Sequence, residues 1–363
     1  MGFSCGIVGL PNVGKSSLFN ALSGAHAPSS NYPFCTIEPN KGAVAVPDEG
    51  LERLAGAVKS RKVTPTVLEL VDVAGLVEGA HRGEGLGNQF LAHVRELDCL
   101  CHLVRLFRDP DVARETELNP VKDLQIVLDE LRFKDLETVE AHLAKERKRA
   151  RASKDTHALE AIEGLKEKLA SIEYPTPEAF TEEELSVAAR LCLLTTKPSF
   201  VVANVDENFA SDPSSDPLYQ ELAGYLQRTG TRLLAVSARI EEEIANLEPE
   251  ERQVFMEEYG LKHTGLERII RTGYELLDLI TFYTFNENEL RAWTLKKGQD
   301  VVAAAGKVHT DMARGFIKAD VINLEEFLQY GSFAKAREKG KVITAGRDYI
   351  VQDRDIILIK FKA

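Results

Sequence analysis

Gly9-Leu10-Pro11-Asn12-Val13-Gly14-Lys15-Ser16 has the spacing G-x-x-x-x-G-K-[ST], and it follows an apolar run of strand length and precedes a helical stretch. Residues of these types at this spacing do phosphate chemistry. The glycines let the chain turn tightly, so that backbone N–H groups from Asn12 through Val13, Gly14, Lys15 and Ser16 to Ser17 converge on a β-phosphate at a helix N-terminus. Lys15 brings a positive charge to the β and γ oxygens, and the Ser16 hydroxyl is a ligand for Mg²⁺. Downstream, Asp72-Val73-Ala74-Gly75 ends a second apolar run, where a carboxylate reaches the metal through a water and the Gly75 N–H senses the γ-phosphate. Thr36, in the proline-flanked loop between these motifs, is the candidate for a second hydroxyl on Mg²⁺. This order is that of a GTPase-like switch rather than a helicase or kinase.

Leu76 stands where Ras-like proteins carry a water-orienting glutamine, and an apolar side chain cannot orient water. His81 is the nearest titratable candidate for that role, against the plain alternative of a loop histidine without one. Glycines at 75, 79, 83, 85 and 87 suit a loop that the γ-phosphate orders, so intrinsic turnover is expected to be slow. Asn12 is a candidate ligand for a monovalent cation standing in for an arginine finger. Cys35 adjoins Thr36, and an inconsequential loop thiol is the simpler reading of it than a redox switch.

Guanine is read in such switches by N-K-x-D, whose aspartate accepts from N1–H and the 2-amino group. Here the corresponding run is Asn204-Val205-Asp206-Glu207, with lysine replaced by Val205 and the aspartate by the longer Glu207. Adenine becomes the better fit. Ser237-Ala238-Arg239 follows the next strand, where a backbone N–H would meet the 6-substituent of the base.

These groups need a frame to hold them. Apolar runs at 3–9, 67–71, 99–107, 199–205 and 233–236 alternate with helical stretches at 16–22 and 87–97, which is the pattern of an α/β core with a mostly parallel sheet. Between about 123 and 172 the apolar residues recur at three and four, giving two long helices around the basic run Lys145–Lys154, a helical hairpin with a basic tip. After about residue 279, short strand-like runs at 290–295, 315–321 and 356–361 indicate a small mixed α+β domain. The expected division is therefore 1–120 with 190–280, an insertion at 121–189, and a C-terminal domain at 281–363.

The net charge of −12 repels polyanions on average, so a nucleic-acid contact has to come from a local basic patch. Five scattered cysteines without C-x-x-C spacing give neither a disulfide framework nor a zinc site. No run is long and apolar enough to span a membrane, so a cytoplasmic protein without a membrane partner is expected.

The run Gly9–Ser16 with Asn12, the stretch Asn31-Tyr32-Pro33-Phe34-Cys35-Thr36-Ile37, the segment 72–87 and Asn204–Glu207 together resemble the YchF family of Obg-like ATPases, along the whole chain. The resemblance implies a G domain with a coiled-coil insertion and a C-terminal TGS domain of β-grasp fold. It also implies hydrolysis of ATP in preference to GTP, Mg²⁺ at Ser16 and Thr36, K⁺ at Asn12, and adenine contacts around 204–207. A monomer that binds ribosomal RNA and proteins through the coiled coil and the TGS domain follows from the same resemblance. Two alternatives from the residues stay open: an Obg-type GTPase, and an RNA- or ribosome-binding scaffold with a structural nucleotide.

Overall fold

The computed structural model describes residues 2–24, 41–73, 94–109, 117–153, 157–172, 174, 176 and 179–362. Thr36, His81, Gly75, Leu76 and Cys35, most of the stretch 87–97, and the end of the basic run lie outside the described residues. The strands are β1 Phe3–Val8, β2 Lys41–Ala45, β3 Lys62–Thr64, β4 Val67–Asp72, β5 Cys99–Arg105, β6 Ser199–Asn204, β7 Leu233–Val236, β8 Leu279–Phe285, β9 Glu289–Lys296, β10 Phe316–Asn323, β11 Ile343–Ala345 and β12 Asp355–Phe361. The helices are α1 Lys15–Gly24, α2 Glu49–Ala57, α3 Pro120–Ser153, α4 His157–Ser171, α5 Glu182–Arg190, α6 Pro217–Gln227, α7 Ala238–Asn246, α8 Pro249–Glu258, α9 Gly265–Leu276, α10 Val301–Val308, α11 Thr310–Arg314, α12 Leu324–Tyr330 and α13 Phe333–Glu338.

One sheet has the order β2-β4-β1-β5-β6-β7. Its central strands are parallel, with Cys5 opposite Cys99, Leu100 opposite Ser199 and Val201 opposite Leu233. Every residue of β5 is buried, as expected of a parallel strand covered on both faces. Leu124, Val127, Leu128 and Leu131 of α3 cover one side of it, the three-and-four spacing putting them on one helix face. At 34 residues, α3 runs about 50 Å. Beyond the sheet it pairs with α4 through Val139, Leu143, Ile162, Leu165 and Leu169, which is the expected helical hairpin. Thr181 and Glu184 form a reciprocal capping box that starts α5, and Val187 and Ala188 then join the same core.

The second sheet has the order β11-β10-β12-β8-β9-β3. β8 and β9 form an antiparallel hairpin, β12 runs parallel to β8, and β10 is antiparallel to both β12 and β11. With α10 between the hairpin and β10, this is β-grasp topology. Val301, Ala304 and Ala305 of α10 pack with Phe282, Leu295, Val321 and Ile357, while Leu51 and Leu54 of α2 pack with Tyr283, Leu290, Ile322 and Ile356.

Contacts divide the chain into two units, residues 4–42 with 70–269, and residues 1–3 with 43–69 and 270–363. The division differs from the expected boundaries in placing 43–69 with the C-terminal residues. The physical reason is β3, which pairs in parallel with β9, Lys62 opposite Glu289 and Val63 opposite Leu290, and α2, whose apolar face is buried in the same unit.

Candidate nucleotide site

β1 ends at Val8, and the loop that follows runs close against β5: a Cβ on Gly9 would lie 2.4 Å from the Leu103 carbonyl oxygen. Asn12 and Gly14 adopt left-handed backbone conformations, at φ 61° and 91°. Gly14 does so without cost, and asparagine is among the few side chains that tolerate the region. Lys15 opens α1 with its side chain 7% exposed, and its ammonium donates to the carbonyls of Gly9 at 3.0 Å and Leu10 at 2.6 Å. Burial lowers the pKa of this lysine, and the carboxylate of Asp72 opposes the shift. Its two hydrogen bonds hold the side chain against the loop, partly desolvated, where a positive charge acts on phosphate more strongly than in water.

Asp72 ends β4, where the Val73 N–H donates to the Ile7 carbonyl of β1 at 3.1 Å. This brings the carboxylate beside the loop. Ser16 Oγ donates to Asp72 Oδ2 at 2.9 Å, while Asp72 Oδ1 is buried without a hydrogen-bond partner among the described residues. A carboxylate oxygen left so is costly unless a cation or a water bound to one satisfies it. Hydroxyl and carboxylate oxygens are the donors that suit Mg²⁺, so Ser16 and Asp72 fit that ion.

Asn204 at the end of β6, expected to be near the base, is 4% exposed and bridges two segments: its Nδ2 donates to the Val13 carbonyl at 3.0 Å and its Oδ1 accepts from the Ala238 N–H at 3.0 Å. The phosphate loop is thereby tied to the N-terminus of α7. Val205 is 2% exposed and packs among Val104, Leu106 and Leu222, so it is the backbone of this residue that shapes the loop. Glu207 pairs with Arg239, Nε to Oε1, at 2.9 Å. Ser237 is buried as the cap of α7, its hydroxyl accepting from the Ile240 N–H. Of the expected residues, then, Asn12, Val13, Gly14, Lys15, Ser16, Asp72, Asn204 and Ser237 are brought into one neighbourhood, with Ser17 exposed on the first turn of α1. Sequence reasoning missed Phe107, whose ring lies 3.8 Å from where a Gly14 Cβ would sit and whose N–H donates to the Asn204 carbonyl at 3.0 Å. An aromatic residue just past the end of a central parallel strand was its available signal.

A curated relative, the ribosome-binding ATPase YchF of Bacillus subtilis, is 44% identical over 365 aligned residues that cover 99% of this chain and all of the relative. The chain belongs to the YchF family. The YchF protein of the same description from Escherichia coli O157:H7 is 43% identical, with 99% of each chain covered. A solved YchF GTPase from Schizosaccharomyces pombe superposes with a TM-score of 0.86 at 33% identity, covering 99% of this chain and 97% of that one. Residues 279–362 match the C-terminal YchF-GTPase model, described as a protein of unknown function, and residues 4–143 match a model described as a 50S ribosome-binding GTPase. YchF membership thus accounts for both sheets and for the nucleotide loop between β1 and α1.

Proposed function

We propose that this chain is a ribosome-associated, Mg²⁺-dependent ATPase that works as a slow molecular switch in the cytoplasm. The observation that carries the reading is the Ser16–Asp72 pair beside Lys15, a hydroxyl and a carboxylate of the kind that hold Mg²⁺, with Asp72 Oδ1 buried and without a hydrogen-bond partner among the described residues. The ribosome-binding ATPases among its relatives support the biological setting. In this reading Ser16 and Thr36 ligate Mg²⁺, Asp72 holds it through a water, and Asn12 takes K⁺. When bound, the metal supplies charge neutralisation at the β and γ oxygens. Lys15 and the N–H groups from Asn12 to Ser17 hold the phosphates, and His81 positions the attacking water. The base lies at Asn204–Glu207 and Ser237, flanked by Phe107. The hairpin α3–α4 and the β-grasp (TGS) domain contact ribosomal RNA and protein, and the protein acts as a monomer.

Adenine is favoured because Val205 and the longer Glu207 stand where the guanine-reading run has lysine and aspartate, so the clamp on guanine N1–H and its 2-amino group loses its usual geometry. Equilibrium titration with ATP and GTP, with and without Mg²⁺, tests the reading. ATP is expected to bind at least about tenfold tighter than GTP, since one mismatched polar contact costs that much. Ser16→Ala is expected to remove the Mg²⁺ dependence. Tighter GTP binding overturns the base assignment, and ribosome binding that survives Lys15→Ala together with loss of nucleotide points to the scaffold alternative.

A further inference from the structure

Three successive N–H groups past β5 turn towards the base-reading segment. Those of Leu106 and Phe107 donate to the Asn204 carbonyl at 2.9 and 3.0 Å, and that of Arg108 donates to both carboxylate oxygens of Asp206 at 3.2 and 3.3 Å. The Arg108 side chain then reaches across. Its Nη2 and Nη1 approach Asp216 Oδ1 and Oδ2 at 3.2 and 3.4 Å, and Nη1 is 3.6 Å from Asp206 Oδ2. Asp216 is fully buried and also caps α6, accepting from the Leu218 N–H at 3.0 Å. A buried carboxylate holds its place only with its charge met, and a two-pronged guanidinium meets it with a fixed geometry. Phe209, just past the base-reading segment, lies under the same guanidinium at 6.0 Å.

We infer that Arg108 is a positioning residue for base recognition: by bridging Asp206 to the buried Asp216 it fixes the segment Asn204–Glu207 in the conformation that reads the base. This deepens the reading of that segment as the base site and rests on it. The anchoring logic is one of rigidity. Asp206 lies between Asn204 and Glu207: Asn204 and Val205 are held by the Asn204 amide, by backbone bonds to Leu106, Phe107 and Val236 and by burial of Val205, whereas beyond them the partly exposed Glu207–Arg239 pair is the side-chain contact besides Arg108. Asp216 is the rigid end, since burial and α6 leave it no alternative position. Arg108 transmits that rigidity to Asp206, while Lys15, Ser16 and Asp72 depend on other contacts. Asn204, which braces the phosphate loop at Val13, keeps its own bonds to Ala238, Leu106 and Phe107 without Arg108, so loss of Arg108 is felt at Asp206 and Glu207, by the base and not by the phosphates.

The test compares the full-length chain with Arg108→Ala, Arg108→Lys and Asp206→Asn in steady-state ATP hydrolysis, with inorganic tripolyphosphate as a competitive inhibitor that engages only the phosphate loop. In Arg108→Ala, KM for ATP is expected to rise about tenfold, the scale of losing charge-assisted hydrogen bonds, with kcat and the tripolyphosphate inhibition constant within about twofold. Arg108→Lys keeps the charge but loses the fork, so it recovers part of the KM, and Asp206→Asn falls between. The inference is overturned if ATP and tripolyphosphate weaken together in Arg108→Lys, which is the mark of general destabilisation, or if neither moves in Arg108→Ala. If the unaltered chain binds ATP no tighter than tripolyphosphate, the reading of 204–207 as a base site falls, and this inference falls with it.

Discussion

Gly14 shows how much a single position carries. Its φ of 91° is one that a side chain adopts only with strain, and a Cβ there would lie 2.3 Å from Asn204 Nδ2. That nitrogen is not free to move, because it donates to Val13 and its partner oxygen accepts from Ala238. Gly14→Ala is accordingly expected to cost about 2 kcal/mol of stability and to weaken ATP binding by more than about tenfold, since either the loop or the Asn204 bridge must give way. Thermal melting and ATP titration of the variant read both effects, and ATP binding equal to that of the unaltered chain would contradict the clash. The sequence announces the glycine through the motif spacing, yet it hides the neighbour. Asn204 is 190 positions away, and only the parallel pairing of β5 with β6 brings it under the loop. Arg108 is hidden for the same reason: nothing in its surroundings in sequence distinguishes it from a solvated loop arginine until Asp206 and Asp216 are folded beside it.

At the scale of elements, β5 is the strand on which the first sheet depends, and it carries a histidine in its middle. His102 is 2% exposed, its Nδ1 has no hydrogen-bond partner among the described residues, and burial lowers its pKa from 6.5 to about 4. The folded protein keeps this imidazole neutral while the unfolded chain takes up a proton. Its titration therefore leaves stability untouched above pH 6.5, lowers it as pH falls from 6.5 towards 4, and changes it no further below that. The loss amounts to about 3 kcal/mol. In His102→Leu, the fall of the urea-derived unfolding free energy between pH 6.5 and 4 should become shallower by that amount, and an unchanged fall would show that other groups set the acid limb. Strands of this kind were legible because a strand buried on both faces reads as a continuous apolar run, as at 99–107. β3 was not: its three residues include exposed Lys62 and Val63, and only its register against β9 makes it a strand. β11 is equally short, with Ile343 and Thr344 exposed. Helices α3 and α4 were legible from their periodic leucines, whereas the link Asp135 makes from α3 to the segment before β6, accepting from the Leu194 and Thr195 N–H groups, was not, since a buried aspartate looks like any other polar residue on a helix.

For the molecule as a whole, the departure from sequence reading concerns which residues make up the C-terminal unit. Periodicity finds the strands of 289–296, 316–323 and 355–361, but it cannot find that a segment some 220 residues earlier completes their core. Leu54 of α2 is fully buried against Tyr283, Leu290 and Ile356, and Asp48, which caps the same helix, accepts from the Tyr283 hydroxyl at 2.8 Å. Leu54→Ala removes a large side chain from a packed site, and such truncations cost about 2–5 kcal/mol. The chain has one tryptophan, Trp293, on β9 of the same unit, stacked at 6.4 Å on Phe282. Its fluorescence therefore reports the unfolding of this unit alone. In Leu54→Ala the Trp293 transition should move to lower urea, while ATP binding in native buffer stays as it was, because Lys15, Ser16 and Asp72 belong to the other unit. A Trp293 transition at the original midpoint would mean that residues 43–69 support the nucleotide-binding unit instead, as the expected boundaries had them.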